Sequence, residues 1–261
     1  MRDLNLTLVQ TELAWHDPEA NRAALGALLA GLDRACDLIV LPEMFTTGFT
    51  MDDHAPAVQP GDATLAWLAE QAATTGAVVA GSVRWAGADG FRNRLLWMRP
   101  DGDWSCYDKR HLFRMADEHQ HYLAGRQRQV FELGDWRICP LVCYDLRFPV
   151  WSRNRGDLDL LLYVANWPAA RRDHWRALLQ ARAIENQCLV AAVNRLGRDG
   201  NGVDYAGDSL VFDARGELLV DGKECAGLHH VTCHGEGLVS YRQKFPAALD
   251  ADRFEIVSAS D

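Results

Sequence analysis

At 261 residues the chain can form one large domain or two small ones, and with 48% hydrophobic residues, among them 9 Trp, 9 Phe and 6 Tyr, it carries enough apolar surface for a sizeable core. A formal charge of −9 and a pI near 5.4 argue against a nucleic-acid partner, which needs clustered Lys and Arg; only short basic pairs such as Arg171-Arg172 occur. A small anionic ligand is not excluded, because it answers to the local field of a cleft and not to net charge.

Taken in chain order, Leu4, Leu6 and Leu8 alternate with polar residues and predict a strand. The opening MRDLNLTLVQTEL lacks the uncharged apolar run of a signal peptide, and no apolar stretch approaches the ~20 residues of a membrane span, so no membrane partner is expected. Leu and Ala at helical spacing predict a helix from about Pro18 to Arg34, and CDLIVLPE reads as a short buried strand. A helix near Asp62–Thr75 and a strand in AVVAGSVRW repeat the alternation. RNRLLWMR and DWSCYD then flank the turn Pro100-Asp101-Gly102 as a hairpin.

QVFEL and WRICPLVCYD give two more strands around Gly134-Asp135, followed by a short helix near Phe148–Arg153. DLLLYVANW is a nearly continuous apolar strand, and DHWRALLQARAIENQ has the period of a long amphipathic helix. LVAAVNRLG and DSLVFD…GELLV complete the strand set. Helices between buried strands, with hairpins among them, imply an α/β sandwich of two sheets in one domain over residues 1–261. The seven cysteines, odd in number and mostly in apolar surroundings, read as free thiols of a cytoplasmic protein.

Three ionisable side chains of complementary type close strands. Cys143 ends an apolar strand in PLVCYDLRFP, where a turn projects a nucleophile into a cleft and the next N–H groups can face an oxyanion. A thiol there also needs a base and a cation. Glu43 directly follows LIVLP, and Lys109 follows WSCYD, so all three can meet at one cleft rim. Asn166 and Trp167 end the DLLLYVANW strand and are expected near the same cleft, with Phe49 and Phe113 lining it.

LPEMFTTGF, YDKRHLF and VCYDLRFP, in this order and spacing, resemble the glutamate, lysine and cysteine motifs of the nitrilase superfamily of carbon–nitrogen hydrolases. The resemblance extends through NWP, ARAIENQ and the GDS segment, and KRHLFRMADEHQHY with YVANWPAARRDHW is similar to the ω-amidase branch. It implies a four-layer αββα sandwich that forms a homodimer, with the segment from about 245 to 261 packing at the dimer interface. It also implies Glu43 as general base, Lys109 as stabiliser of thiolate and oxyanion, and the Tyr144 backbone N–H as second oxyanion donor. Glu118, nine residues after Lys109, is the candidate for the family's second glutamate, against an exposed loop carboxylate. No metal or cofactor is called for.

Arg147 has two readings: an anchor for a substrate carboxylate, or a structural partner for a buried acid such as Glu185. The expected substrate is a small ω-amide of a dicarboxylic or α-keto acid, cleaved to the acid and ammonia through a thioester. Two other classes compete. His119 and His121 flank Gln120 near His111 and Glu118, but their spacing is too short for H-E-x-x-H metal chemistry. A binding protein that kept the sandwich and lost activity, or a sister activity such as a deaminated glutathione amidase, a carbamoyl-amide hydrolase or a nitrilase, shares the fold.

Overall fold

The computed structural model describes residues 1–257. The first sheet comprises β1 (Leu4–Gln10), β2 (Leu38–Val40), β3 (Val78–Gly87), β4 (Gly90–Met98) and β5 (Trp104–Asp108), completed at its other edge by β14 (Gly227–Cys233), in the order β14-β1-β2-β3-β4-β5. The second comprises β6 (Phe131–Leu133), β7 (Trp136–Val142), β8 (Leu160–Ala165), β9 (Leu189–Asn194), β12 (Leu210–Phe212) and β13 (Leu218–Asp221), in the order β13-β12-β9-β8-β7-β6. A separate two-stranded ribbon pairs β10 (Leu196–Arg198) with β11 (Asp204–Ala206). The expected αββα sandwich is present. No helix among the described residues is long and apolar enough to cross a membrane.

Period-two alternation sorts the first sheet's side chains between its two faces. Leu4, Leu6, Leu8, Leu38, Val40, Leu95 and Trp97 join the core between the sheets, while Val9, Ile39, Val79, Leu96 and Met98 join the core beneath α1 (Pro18–Ala30) and α2 (Ala63–Thr75). Asp17 and Asp62 cap these helices by accepting from Ala20 N and Thr64 N. On the opposite side α4 (Arg172–Asn186) buries Trp175, Leu179 and Ala183, one turn apart, against the second sheet. Each such aliphatic side chain contributes roughly 1.5–3 kcal/mol on burial, and a one-residue register slip would turn every inward leucine outward.

Three expectations need correction. The first helix ends at Ala30, not Arg34, where the Gly31 N–H donates to Leu28 O and the Leu32 N–H to Leu29 O. No helix forms over Phe148–Arg153; a 3-10 turn occupies Cys143–Arg147 instead, because the Asp145 carboxylate takes the Val142 N–H and starts the turn at the cysteine. The strand set continues past GELLV with β14, which pairs antiparallel to β1 from Leu4↔Cys233 to Gln10↔Gly227, and with α5 (Gly235–Lys244). Beyond α5, residues 245–257 leave Phe245 and Leu249 exposed, and residues 258–261 of the expected interface tail lie outside the described residues.

Candidate active site

Glu43 is carried past the end of β2 on a segment that hugs β3. Leu41 N donates to Ala80 O, Met44 N to Ser82 Oγ and Phe45 N to Ser82 O. This close approach requires Gly81, where a Cβ would stand 2.8 Å from Leu41 Cβ. Lys109 follows β5 and donates its N–H to Asn93 O, while Gly125 N donates to Lys109 O. A Cβ on Gly125 would lie 2.0 Å from Asp108 O, so only glycine fits there. Cys143 follows β7 with φ 44°, a left-handed conformation that is strained for a non-glycine residue and that such sites retain for function.

These segments bring the expected groups together. Lys109 Nζ lies 3.0 Å from Glu43 Oε1, 3.0 Å from Glu118 Oε1 and 2.9 Å from Glu118 Oε2. Glu118 is therefore no exposed loop carboxylate: α3 (Glu118–His121) turns it inward, and its Oε2 also accepts from Phe113 N at 2.6 Å. Asn93 Nδ2 bridges the two carboxylates, 2.7 Å from Glu43 Oε1 and 3.3 Å from Glu118 Oε1. Glu43 Oε2 accepts from Asn166 N at 2.7 Å. Both glutamates are 0% exposed and Lys109 is 1% exposed, against 9% for Cys143, the most accessible of the four.

Burial would pull the Lys109 ammonium down, but the Glu118 and Glu43 carboxylates outweigh it and hold the lysine charged. Glu118 is raised, by burial, with Lys109 offsetting part of the effect. The Cys143 thiol is pushed well above its ordinary range, chiefly by burial and then by the Glu43 charge, with Lys109 compensating incompletely. These influences favour the protonated thiol, so sulfur at this position could attack only as a base took its proton.

Cys143 opens into a cavity of about 640 Å³ whose wall includes Lys109, Phe49, Phe113, Tyr144, Asn166 and Trp167. Arg147 also lines it and does not pair with Glu185, which binds Arg182 at 2.8 Å. Its guanidinium lies 4.8 Å over Trp167, with His174 Nδ1 3.2 Å from Nη2. Arg171 sits 5.4 Å over Phe113 in the same wall, whereas its neighbour Arg172 is turned to Asp208 and Glu224. Of the histidines weighed as metal ligands, His111 points to Asp145 and His121 to Asp53, while His119 Nδ1 is buried without a hydrogen-bond partner.

Two polar residues at the centre escaped the sequence reading. Asn93 shares the inward phase of Leu95 and Trp97 on β4, and a polar residue in that phase was the available signal. Asp145 is fully buried and accepts from Tyr107 Oη at 2.7 Å, Val142 N at 3.0 Å, and both His111 N and Nδ1. It ties the nucleophile turn to both flanks of Lys109. The far wall takes Trp15, His16 and Asp52 from loops and Tyr205 from the three-residue β11, none of which periodicity announces.

All seven cysteines are free, with Cys225 exposed, Cys106 half-buried and Cys36, Cys139, Cys188 and Cys233 buried away from the cavity. Brief treatment with iodoacetamide followed by peptide mapping is expected to label Cys225 and Cys143 and to spare those four. Label at Cys139 or Cys188 ahead of Cys143 would mean that the cavity does not admit small molecules.

A two-sheet sandwich that gathers a thiol, an ammonium and two carboxylates in one place is the arrangement of a cysteine hydrolase. The family model for carbon-nitrogen hydrolases matches residues 5–243, and the chain belongs to that family. It is 51% identical over 256 residues to Omega-amidase YafV of Yersinia enterocolitica, covering 97% of this chain and 99% of that one. A 2-oxoglutaramate amidase of Bacillus subtilis is 32% identical, covering 94% and 96%. Among solved structures, a CN-hydrolase superfamily protein of Xanthomonas campestris with an arsenic adduct in its active site superposes with a TM-score of 0.96 at 49% identity, covering 98% and 100%.

Proposed function

We propose that this carbon–nitrogen hydrolase is an ω-amidase, acting on a short ω-amide of a dicarboxylic or α-keto acid such as α-ketoglutaramate, α-ketosuccinamate or succinamate. The observation that carries this is the pair Arg147 and Arg171. In a chain of net charge −9 they line the cavity beside Cys143 and, among the described residues, neither is in an ion pair. A distal carboxylate supplies the missing partner and holds the amide over the thiol. The names of the Yersinia and Bacillus relatives agree with this substrate class.

Glu43 takes the Cys143 proton as sulfur attacks the carbonyl carbon, and Lys109 with the Tyr144 N–H faces the oxyanion. The proton passes from Glu43 to the nitrogen, the C–N bond breaks, ammonia leaves and the acyl group stays as a thioester. Water, deprotonated by Glu43, adds to the thioester, and sulfur departs to recover its proton. Glu118 holds Lys109 in place together with Glu43. The family's homodimer fits the exposed Val239, Phe245 and Leu249 of α5 and the segment after it, and seven free thiols fit a cytoplasmic enzyme.

The test is kcat/KM on one preparation for the ω-amides, for neutral butyramide, and for a nitrile, an N-carbamoyl compound and a larger peptide-like amide. The ω-amides are expected to lead, with hydroxylamine intercepting the acyl group as a hydroxamate. Arg147→Gln and Arg171→Gln should each cost about tenfold to a hundredfold on ω-amides, mostly in KM, and little on butyramide. A lead for the neutral amide, the nitrile or the N-carbamoyl compound overturns the reading; a lead for the larger amide redirects it to the room left in the cavity.

A further inference from the structure

Asn166 commits three of its four polar groups to the catalytic residues. Its N–H donates to Glu43 Oε2 at 2.7 Å, its Nδ2 donates to the Glu43 carbonyl oxygen at 2.7 Å, and its own carbonyl oxygen lies 3.9 Å from Cys143 Sγ. The Glu43 carbonyl can only accept, so the side-chain nitrogen must face it, and this fixes which way the amide is turned. Oδ1 is left over. It is buried without a hydrogen-bond partner, in a residue of the cavity wall that also includes Cys143 and Lys109. A buried carbonyl acceptor without a donor carries a desolvation cost, and such an orphan next to a nucleophile is accounted for when a ligand brings the donor. The group that reacts at Cys143 brings two N–H bonds.

We propose that Asn166 Oδ1 accepts an N–H of the substrate carboxamide, which makes Asn166 the residue that separates a primary amide from an ester or nitrile with the same acyl chain. The inference rests on the amide-hydrolase reading above and adds the atom that recognises the leaving group. Holding one N–H fixes rotation about the C–N bond as the tetrahedral adduct forms, so the nitrogen lone pair can turn to the proton that Glu43 took from Cys143. The nitrogen gains that proton, the C–N bond breaks and ammonia leaves. An ester offers no donor at this position, and Oδ1 stays unpaired.

Succinamate and monomethyl succinate give the same succinyl thioester, so their kcat/KM values differ only in acylation. Asn166→Ala is expected to lower the amide value by about tenfold or more beyond its effect on the ester, the usual scale for one buried acceptor. Loss of the Nδ2 support to Glu43 would depress both substrates alike, so an equal drop overturns the proposal. Asn166→Ser, which keeps an acceptor, is expected to recover part of the amide-to-ester ratio, and Asn166→Val replaces the alanine variant if that one does not fold. If the wild-type enzyme turns over neither succinyl compound, the ω-amide reading fails by itself; the same ratio is then read on butyramide and methyl butyrate.

Discussion

Lys109→Ala is expected to lower turnover on the order of a thousandfold, the upper range for removing one oxyanion donor, and to destabilise the fold as well. The lysine is fully enclosed by its two carboxylates, at 3.0 Å from Glu43 and 2.9 Å from Glu118. Without the ammonium, two buried acids face each other, and breaking a buried pair in this way costs roughly 3–5 kcal/mol. The pH dependence of that loss has a definite sign. Glu118 already has a raised affinity for protons through burial, and removing its cation raises it further. The unfolded variant therefore releases this proton more readily than the folded one, and its stability falls as pH rises above the ordinary carboxylate range. Thermal melts at pH 5 and pH 8 should separate more widely for Lys109→Ala than for wild type. A second change, Glu118→Gln, should restore much of the stability at pH 8 and none of the turnover. Near-normal activity in a folded Lys109→Ala protein would sink the role assigned here.

The sequence made the catalytic trio legible because each member follows a strand, and strand ends in a layered sheet converge. Glu43 after LIVLP and Cys143 after ICPLV are boundary signals of that kind. What stayed illegible has physical reasons. β14 alternates His229, Val231 and Cys233 with Leu228, His230 and Thr232 on a half-exposed edge, so neither face carries a clean apolar phase. The Phe148–Arg153 helix failed because a side-chain hydrogen bond from Val142 to Asp145, invisible to periodicity, starts the turn earlier. Arg147 illustrates a harder limit. Its partner could be chosen only after Arg182 was seen to occupy Glu185, which depends on a helix four turns long being placed beside the nucleophile turn.

Glu43→Gln is expected to lower turnover while making the Cys143 thiol easier to ionise. Turnover should fall by about a hundredfold to ten-thousandfold, the span for a lost general base. The pH midpoint for alkylation of Cys143 should move down, because the Glu43 carboxylate is one of the charges that raises this thiol and glutamine carries none. With Lys109 retained, the thiolate then forms at lower pH in a less active enzyme. A residue that acted only through its charge would lower the midpoint and raise activity, since removing it would leave more thiolate. The fold should persist with a lower melting temperature. Both Glu43 oxygens are acceptors, Oε1 from Lys109 and Asn93 and Oε2 from Asn166 N, so a glutamine nitrogen must meet a donor on one side, at a cost of about 1–3 kcal/mol. The decisive pair of measurements is kcat across pH and the rate of iodoacetamide incorporation at Cys143 across the same pH range. A folded variant whose alkylation midpoint falls while kcat stays within a few fold of wild type would show that the cysteine proton leaves by another route.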